Sequence, residues 1–458
     1  MRERREYLNM KENIQKGNMT TGEILPEILL FTLPIIAGYF LQQLYNTVDG
    51  IVVGQFIGES ALASVGTCAP VTVFYVAFAM GMSTGGSIIV AQYFGAGKFT
   101  ELRKAVSTAL ILIFGLGLFF SVFGGVLVNP LLKSVLAVPA DQLPDATAYL
   151  QIYCYGLVFQ FIYNIVAAIL RAFGDSKATL IFLLVSSAVN IVLDLMFIVA
   201  FGMGVKGAAL ATIIAQAISA VVSIIYMFAK YEKLRFTRET LTFDGSMCLL
   251  ILRLGIPTTI QQCVVSCGNI ALQRLVNTFG VDFMSGYTAG TRLESYLVLP
   301  ALSFQVGMST FTGQNIGAGK LDRIVEGLHK VMKTTALSTA VLSIIAITFA
   351  TQLVGIFGVE GEALSMGMTY LRLIAPFFII FSLYQAYVGL LQGSGDVSFC
   401  AFCTLSSLAL RVIFSYALAG TFLSYRVLCF SSAVGWTYVF ILCIWRYRQN
   451  KWKQKAVA

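Results

Sequence analysis

Charge is scarce in this sequence. Asp, Glu, Lys and Arg make up 12% of its 458 residues, against about 25% in a soluble domain. Hydrophobic residues make up 57%, and the mean hydropathy is +0.81, so lipid is the expected main solvent. The single histidine, His329, lies in the basic stretch LDRIVEGLHKVMK and reads as solvated surface. No Ser, His and Asp set and no cluster of metal-ligand spacing appears, so the chain is not expected to be an enzyme. Cys400 and Cys403 form a CxxC, but with no second pair or nearby histidine, and the nine cysteines read as small apolar residues. Neither GMSTGG nor GAGK has the GxxxxGK[ST] spacing of a phosphate cradle. The first 22 residues are polar and basic with no apolar core, so no cleavable signal peptide is expected. A net charge of +9 could suggest nucleic acid, but the charge sits in loops, and no nucleic-acid partner is expected.

What the chain does have is long apolar runs. A spanning helix needs about 20 such residues, and twelve segments qualify, from 27–52 to 424–446, including 147–170, 178–201 and 283–310. With a cytoplasmic N-terminus, 23 of the 31 Lys and Arg fall in inner loops or tails and three in outer ones, which predicts a plasma (inner) membrane protein with both termini in the cytoplasm. The chain also repeats itself. GAGK at 95–98 returns at 317–320, GD at 174–175 returns at 395–396, and Pro34 with Asn46 returns as Pro257 with Asn269. The expected organisation is a tail 1–26, a six-helix lobe 27–229, a linker 230–245, a second lobe 246–447 and a basic tail 448–458. The fold class is all-α integral membrane, two pseudo-symmetric lobes around a central cleft. Six spans per repeat make the halves parallel.

LYNTVDGIVVGQFIG, GMSTGGSIIVAQYFGAGK, LRAFGDSK and VGMSTFTGQNIGAGK, in that order and with that two-fold recurrence, resemble the multidrug and toxic compound extrusion (MATE) transporters over nearly the whole length. The resemblance implies export of an organic, cationic and amphipathic compound in antiport with H⁺ or Na⁺. A lipid-linked oligosaccharide flippase, similar in overall plan, is the alternative; its pyrophosphate would call for several cations in the cleft, and the first lobe has none at mid-membrane. No cofactor is expected beyond Na⁺ as a coupling ion, the partners are substrate, ion and bilayer, and a monomer is expected.

Of 22 acidic residues, only Asp49, Asp194 and Glu294 fall well inside the spans, where a carboxylate is costly and usually functional. Asn190 lies one turn before Asp194, on the same face. Counting ~1.5 Å per residue from the span ends puts Asp49, Asp194 and Thr212 at similar depths. Two carboxylates, an amide oxygen and a hydroxyl suit Na⁺, or a proton held between carboxylates. In the MATE branch with its cation site in the N-terminal lobe, the resemblance assigns Asp49, Asn190, Asp194 and Thr212 to that site. Each has a plainer alternative: Asp49 a turn residue before Gly50, Asn190 a contact between helices, Thr212 bonded to its own backbone. Pro34 is a gating bend or a packing kink, and Tyr45 and Asn46 line the cavity or pack at an interface. Carrying Asn190 and Asp194 into the second half lands on Arg411 and Ser415, so the second lobe lacks the site; Glu294, about 7 Å from Arg411 in depth, is expected to pair with it, or failing that with Arg274 or Arg292, as a structural ion pair.

Overall fold

The computed structural model describes residues 18–56, 59–136, 138–231, 242–421 and 424–455, with side chains undescribed at 46, 48–55, 59–63, 266–267 and 269–270. No strand occurs among the described residues. In lipid every backbone N–H and C=O must find its partner within the chain, and runs of Leu, Ile, Val, Ala and Phe do this as helices. In order these are α1 (Ile24–Phe56), α2 (Glu59–Gly95), α3 (Phe99–Pro130), α4 (Leu143–Tyr155), α5 (Leu157–Ala172), α6 (Ser176–Asp194) and α7 (Gly204–Lys230). After the linker come α8 (Gly245–Val276), α9 (Val281–Leu297), α10 (Leu299–Gly317), α11 (Leu321–Thr348), α12 (Ala350–Gly355), α13 (Gly361–Ile374), α14 (Phe378–Gly393), α15 (Val397–Leu418) and α16 (Val427–Arg448).

Ten helices among the described residues are long and apolar enough to cross a membrane, and eleven if α4 and α5, bent by 47°, form one span. The expected span 283–310 is helical, broken at Val298 between α9 and α10. It stands outside that count; two charged residues, Arg292 and Glu294, lie within it.

The internal repeat is visible in the turns. Gly97 and Gly319, equivalent in the two GAGK segments, have φ of +69° and +71°, and Gly174 and Gly395 of the two GD turns have +80° and +95°. In each turn the next residue's N–H reaches back five residues: Lys98 to Tyr93 O (3.1 Å), Lys320 to Asn315 O (2.8 Å), Asp175 to Leu170 O (2.9 Å) and Asp396 to Leu391 O (2.8 Å). This is the helix-ending bond that a left-handed glycine permits.

The chain divides into two compact units, Ala37–Thr259 and the remainder, up to Ile36 with Ile260–Ala458. These bounds differ from the expected lobes 27–229 and 246–447, because the beginnings of α1 and α8 each belong to the other half's unit. The chain changes unit two residues after Pro34 in α1 and two after Pro257 in α8, where proline interrupts the helical hydrogen-bond ladder. Close packing fixes each crossing strand of helix in its unit. A Cβ on Gly85 of α2 would lie 2.5 Å from the Gly255 nitrogen of α8, and one on the equivalent Gly307 of α10 would lie 2.5 Å from Thr32 Oγ1 of α1.

The described residues of both tails are held by contacts with the helices. The Met19 N–H donates to Gln314 Oε1 (2.8 Å), Lys320 Nζ to Thr20 O (2.8 Å) and Arg323 Nη2 to Thr21 O (2.8 Å). At the other end Trp452 is fully buried and stacks on Tyr447, with ring centroids 6.0 Å apart.

Candidate cation site

The strongest local feature in the unit Ala37–Thr259 is where α6 ends. Its α-helical hydrogen bonding stops at Asp194, and a wider π turn, Leu195–Ala200, takes over, an irregularity that recurs at functional sites. Asn190 and Asp194 are 2% and 1% exposed, and the preceding turns place both on one face of α6. The hydrogen-bond network assigns the Asn190 amide: its nitrogen donates to Asp194 Oδ2 (2.8 Å) and to Tyr45 Oη of α1 (3.1 Å), while its oxygen accepts from the Thr212 N–H of α7 (3.1 Å). One amide thus joins three helices. Thr212 Oγ1 donates to Ala208 O (3.0 Å) and lies 3.5 Å from the Asn190 amide, so the plain reading of Thr212 holds in part while its oxygen still faces the cluster.

The structure therefore brings together Asn190, Asp194, Thr212 and Tyr45. The side chains of Asp49 and Asn46 lie outside the described residues; both positions belong to α1. Pro34 lies within α1. Oxygen atoms from a carboxylate, an amide, a phenol and a hydroxyl make a hard-ligand set. It suits Na⁺ or a proton, and among the described residues no group of three or more His, Cys, Asp or Glu could hold a metal ion. Burying a carboxylate against a neutral amide leaves its charge in place, and a bound cation or proton is the direct way to remove it.

The expected Glu294–Arg411 pair is corrected by the structure. Glu294 Oε2 accepts from Tyr370 Oη (2.6 Å), and Arg411 Nη2 donates to Ser432 Oγ (2.9 Å); no direct ion pair joins the two among the described residues. Both line one cavity of about 510 Å³ instead. Helix geometry separates the two in depth by about 7 Å, and the Tyr370 and Ser432 hydroxyls take the contacts instead.

Sequence reasoning missed a second pair of features. Asp175 accepts from Lys230 Nζ (2.7 Å) and Tyr226 Oη (2.9 Å), and Asp396, its repeat partner, makes a two-pronged pair with Arg446 (2.6 and 3.1 Å). Each ties the start of its half's fifth span to the end of the sixth. The recurrence of Asp175 at Asp396 was a signal for them. Lys230 and Arg446 hide it, because they are five residues out of step with the repeat.

An all-helical chain, built twice over, with a hard-oxygen cluster deep in a spanning helix, has the design of a multi-pass membrane transporter. The chain belongs to the MatE family, whose profile matches residues 34–196 and 257–417. It is 29% identical over 439 residues to "Probable multidrug resistance protein YpnP" of Bacillus subtilis, covering 95% of this chain and 97% of that one. It is 22% identical to "Multidrug export protein MepA" of Staphylococcus haemolyticus, covering 82% of each chain. Among solved structures, it matches a MATE protein in the straight conformation with a TM-score of 0.89 at 23% identity, over 96% of this chain and 99% of the other. A MOP superfamily transporter from Pyrococcus furiosus matches with a TM-score of 0.88 at 24% identity, over 96% and 98%. These likenesses agree on the all-helical, two-lobed fold.

Proposed function

We propose that this chain is a secondary active multidrug efflux transporter of the plasma membrane. It exports organic, cationic and amphipathic compounds in exchange for H⁺ or Na⁺ entering through Asp49, Asn190, Asp194 and Thr212, with both termini in the cytoplasm. The observation that carries this reading is the buried Asn190–Asp194 pair, tied by one amide to Tyr45 of α1 and to α7. The names of the relatives YpnP and MepA support multidrug export.

The chemistry runs through charge. With Asp194 ionised and no cation bound, a negative charge sits where hydration is poor, and taking up H⁺ or Na⁺ relieves it. Tyr45 shares the Asn190 amide with Asp194, so a change in the carboxylate's bonding is felt on α1. Pro34, about three turns earlier on that helix, leaves a carbonyl without its usual donor and gives α1 a place to bend. A neutralised carboxylate and a rearranged α1 form one ion-bound state, and a ligand or ion shifts the balance only by its differential affinity for the two states.

Ethidium efflux from everted vesicles, with ΔpH and ΔNa⁺ imposed separately, tests this. Export driven by one gradient and lost in Asp194→Asn is the expected result. Full efflux by a well-expressed Asp194→Asn protein rules the site out.

A further inference from the structure

The cavity of about 510 Å³ in the unit that includes Ile260–Ala458 has a composition unlike the oxygen cluster around Asp194. Its volume falls in the range of small-molecule sites, roughly 300–1,000 Å³. Its walls carry one carboxylate, Glu294, one guanidinium, Arg411, and the rings of Tyr287, Tyr370, Phe381, Tyr384 and Trp436. The two charges face the same space without pairing with each other.

Each charge is held in place by its surroundings. The Tyr370 hydroxyl donates to Glu294 Oε2 at 2.6 Å, and no hydrogen bond among the described residues uses Glu294 Oε1. Ser432 Oγ accepts from Arg411 Nη2 at 2.9 Å. The stem of Arg411 crosses α16 where that helix has no side chain: a Cβ on Gly435 would lie 2.6 Å from Arg411 Cγ and 2.7 Å from its Cδ. Arg411 Nε is buried and meets no hydrogen-bond partner among the described residues. A buried N–H left without an acceptor on a guanidinium is costly unless a ligand supplies one.

We infer that this cavity binds an aromatic zwitterion, whose carboxylate takes the Arg411 guanidinium, whose ammonium takes Glu294, and whose ring lies among Tyr287, Tyr370, Tyr384 and Trp436. A planar guanidinium recognises a carboxylate through parallel N–H bonds. Tyrosine and tryptophan faces accept both a ring and an adjacent ammonium. A bare organic cation would satisfy Glu294 but would share the cavity with the fixed positive charge of Arg411, and a bare anion would meet Glu294. Only a ligand with both charges answers both walls. The inference uses none of the residues of the cation site and needs no ion gradient, so it stands or falls separately from the coupling reading.

The test is calorimetric titration of the purified full-length chain in lipid nanodiscs with the dipeptide phenylalanyltyrosine, its C-terminal amide and its N-acetyl derivative. The amide lacks the carboxylate and the acetyl form lacks the ammonium. The free dipeptide should bind at least ten-fold more tightly than either. Arg411→Lys should weaken the free and N-acetyl forms and leave the amide unchanged, and Glu294→Gln should weaken the free and amide forms and leave the N-acetyl form unchanged. Ser432→Ala, which frees the guanidinium without removing it, serves if Arg411→Lys does not fold, and should weaken the same two forms. Asp194→Asn should bind the dipeptide like the wild type. The inference is overturned if folded wild-type protein gives no binding heat with the free dipeptide, or if the amide binds as tightly. Variants that lower the melting temperature while leaving affinity unchanged overturn it equally, because Glu294 and Arg411 would then serve only the packing of the helices.

Discussion

At the scale of the residue, Asn190 organises the first-half site. Its amide has two hydrogens and one strongly accepting oxygen, and Asp194, Tyr45 and the Thr212 backbone use all of them. Asp194→Asn removes the charge and keeps the shape, so gradient-driven efflux should vanish while the melting temperature stays near that of the wild type. Thr212→Ala should be milder, because the Thr212 hydroxyl already donates to Ala208 O within its own helix. Efflux assays at low and high Na⁺ separate the ions: a severe Thr212→Ala defect relieved by high Na⁺ marks sodium as the coupling ion. Tyr45→Phe deprives one Asn190 hydrogen of its acceptor at a cost of about 1–2 kcal/mol. It should slow efflux without abolishing it, since Asp194 keeps its own bond to the amide.

At the scale of the element, the two GD turns show how the repeat is built and how it has diverged. Asp396 and Arg446 have side chains 3% and 13% exposed, whereas Lys230, the partner of Asp175, is 34% exposed. Removing one member of a buried pair leaves a stranded charge and costs about 3–5 kcal/mol, while a solvent-reached pair contributes only about 0–1 kcal/mol. Asp396→Asn should therefore lower thermal stability in detergent clearly more than Asp175→Asn, and Asp396→Asn with Arg446→Gln should recover part of the loss. Equal melting temperatures for the two single variants would show that these ties matter little to stability. The expected spans all reappear as helix because apolar length is a local property, readable without knowing any neighbour. The break at Val298 has a mark in Pro300, in the first turn of α10, and the exchanges of unit have theirs in Pro34 and Pro257; the π turn after Asp194 left none.

At the scale of the whole molecule, the two halves have kept their turns and parted in their chemistry. Where the first half has Asn190 and Asp194, the second has Arg411 and Ser415, and the structure adds a cavity with Glu294 and five aromatic rings. Repeat arithmetic found that divergence but misread its outcome. A carboxylate and a guanidinium at comparable depth invite the idea of an ion pair, and only three-dimensional placement shows Tyr370 and Ser432 in between. Asn190 and Asp194 were legible because one-turn spacing and membrane depth follow from helix geometry, whereas Thr212 was singled out by the resemblance to the MATE pattern. Tyr45 entered the reading only as a neighbour of Asp49, since nothing in a linear sequence aims its hydroxyl at α6. The central claim, that ion entry at Asp194 drives export, is tested most directly in proteoliposomes holding the purified chain, with an imposed ethidium gradient and trapped H⁺- and Na⁺-sensitive dyes. The account predicts an opposing flux of one of the two ions in the wild type and none in Asp194→Asn; an undiminished ethidium-driven ion flux in that variant would contradict it.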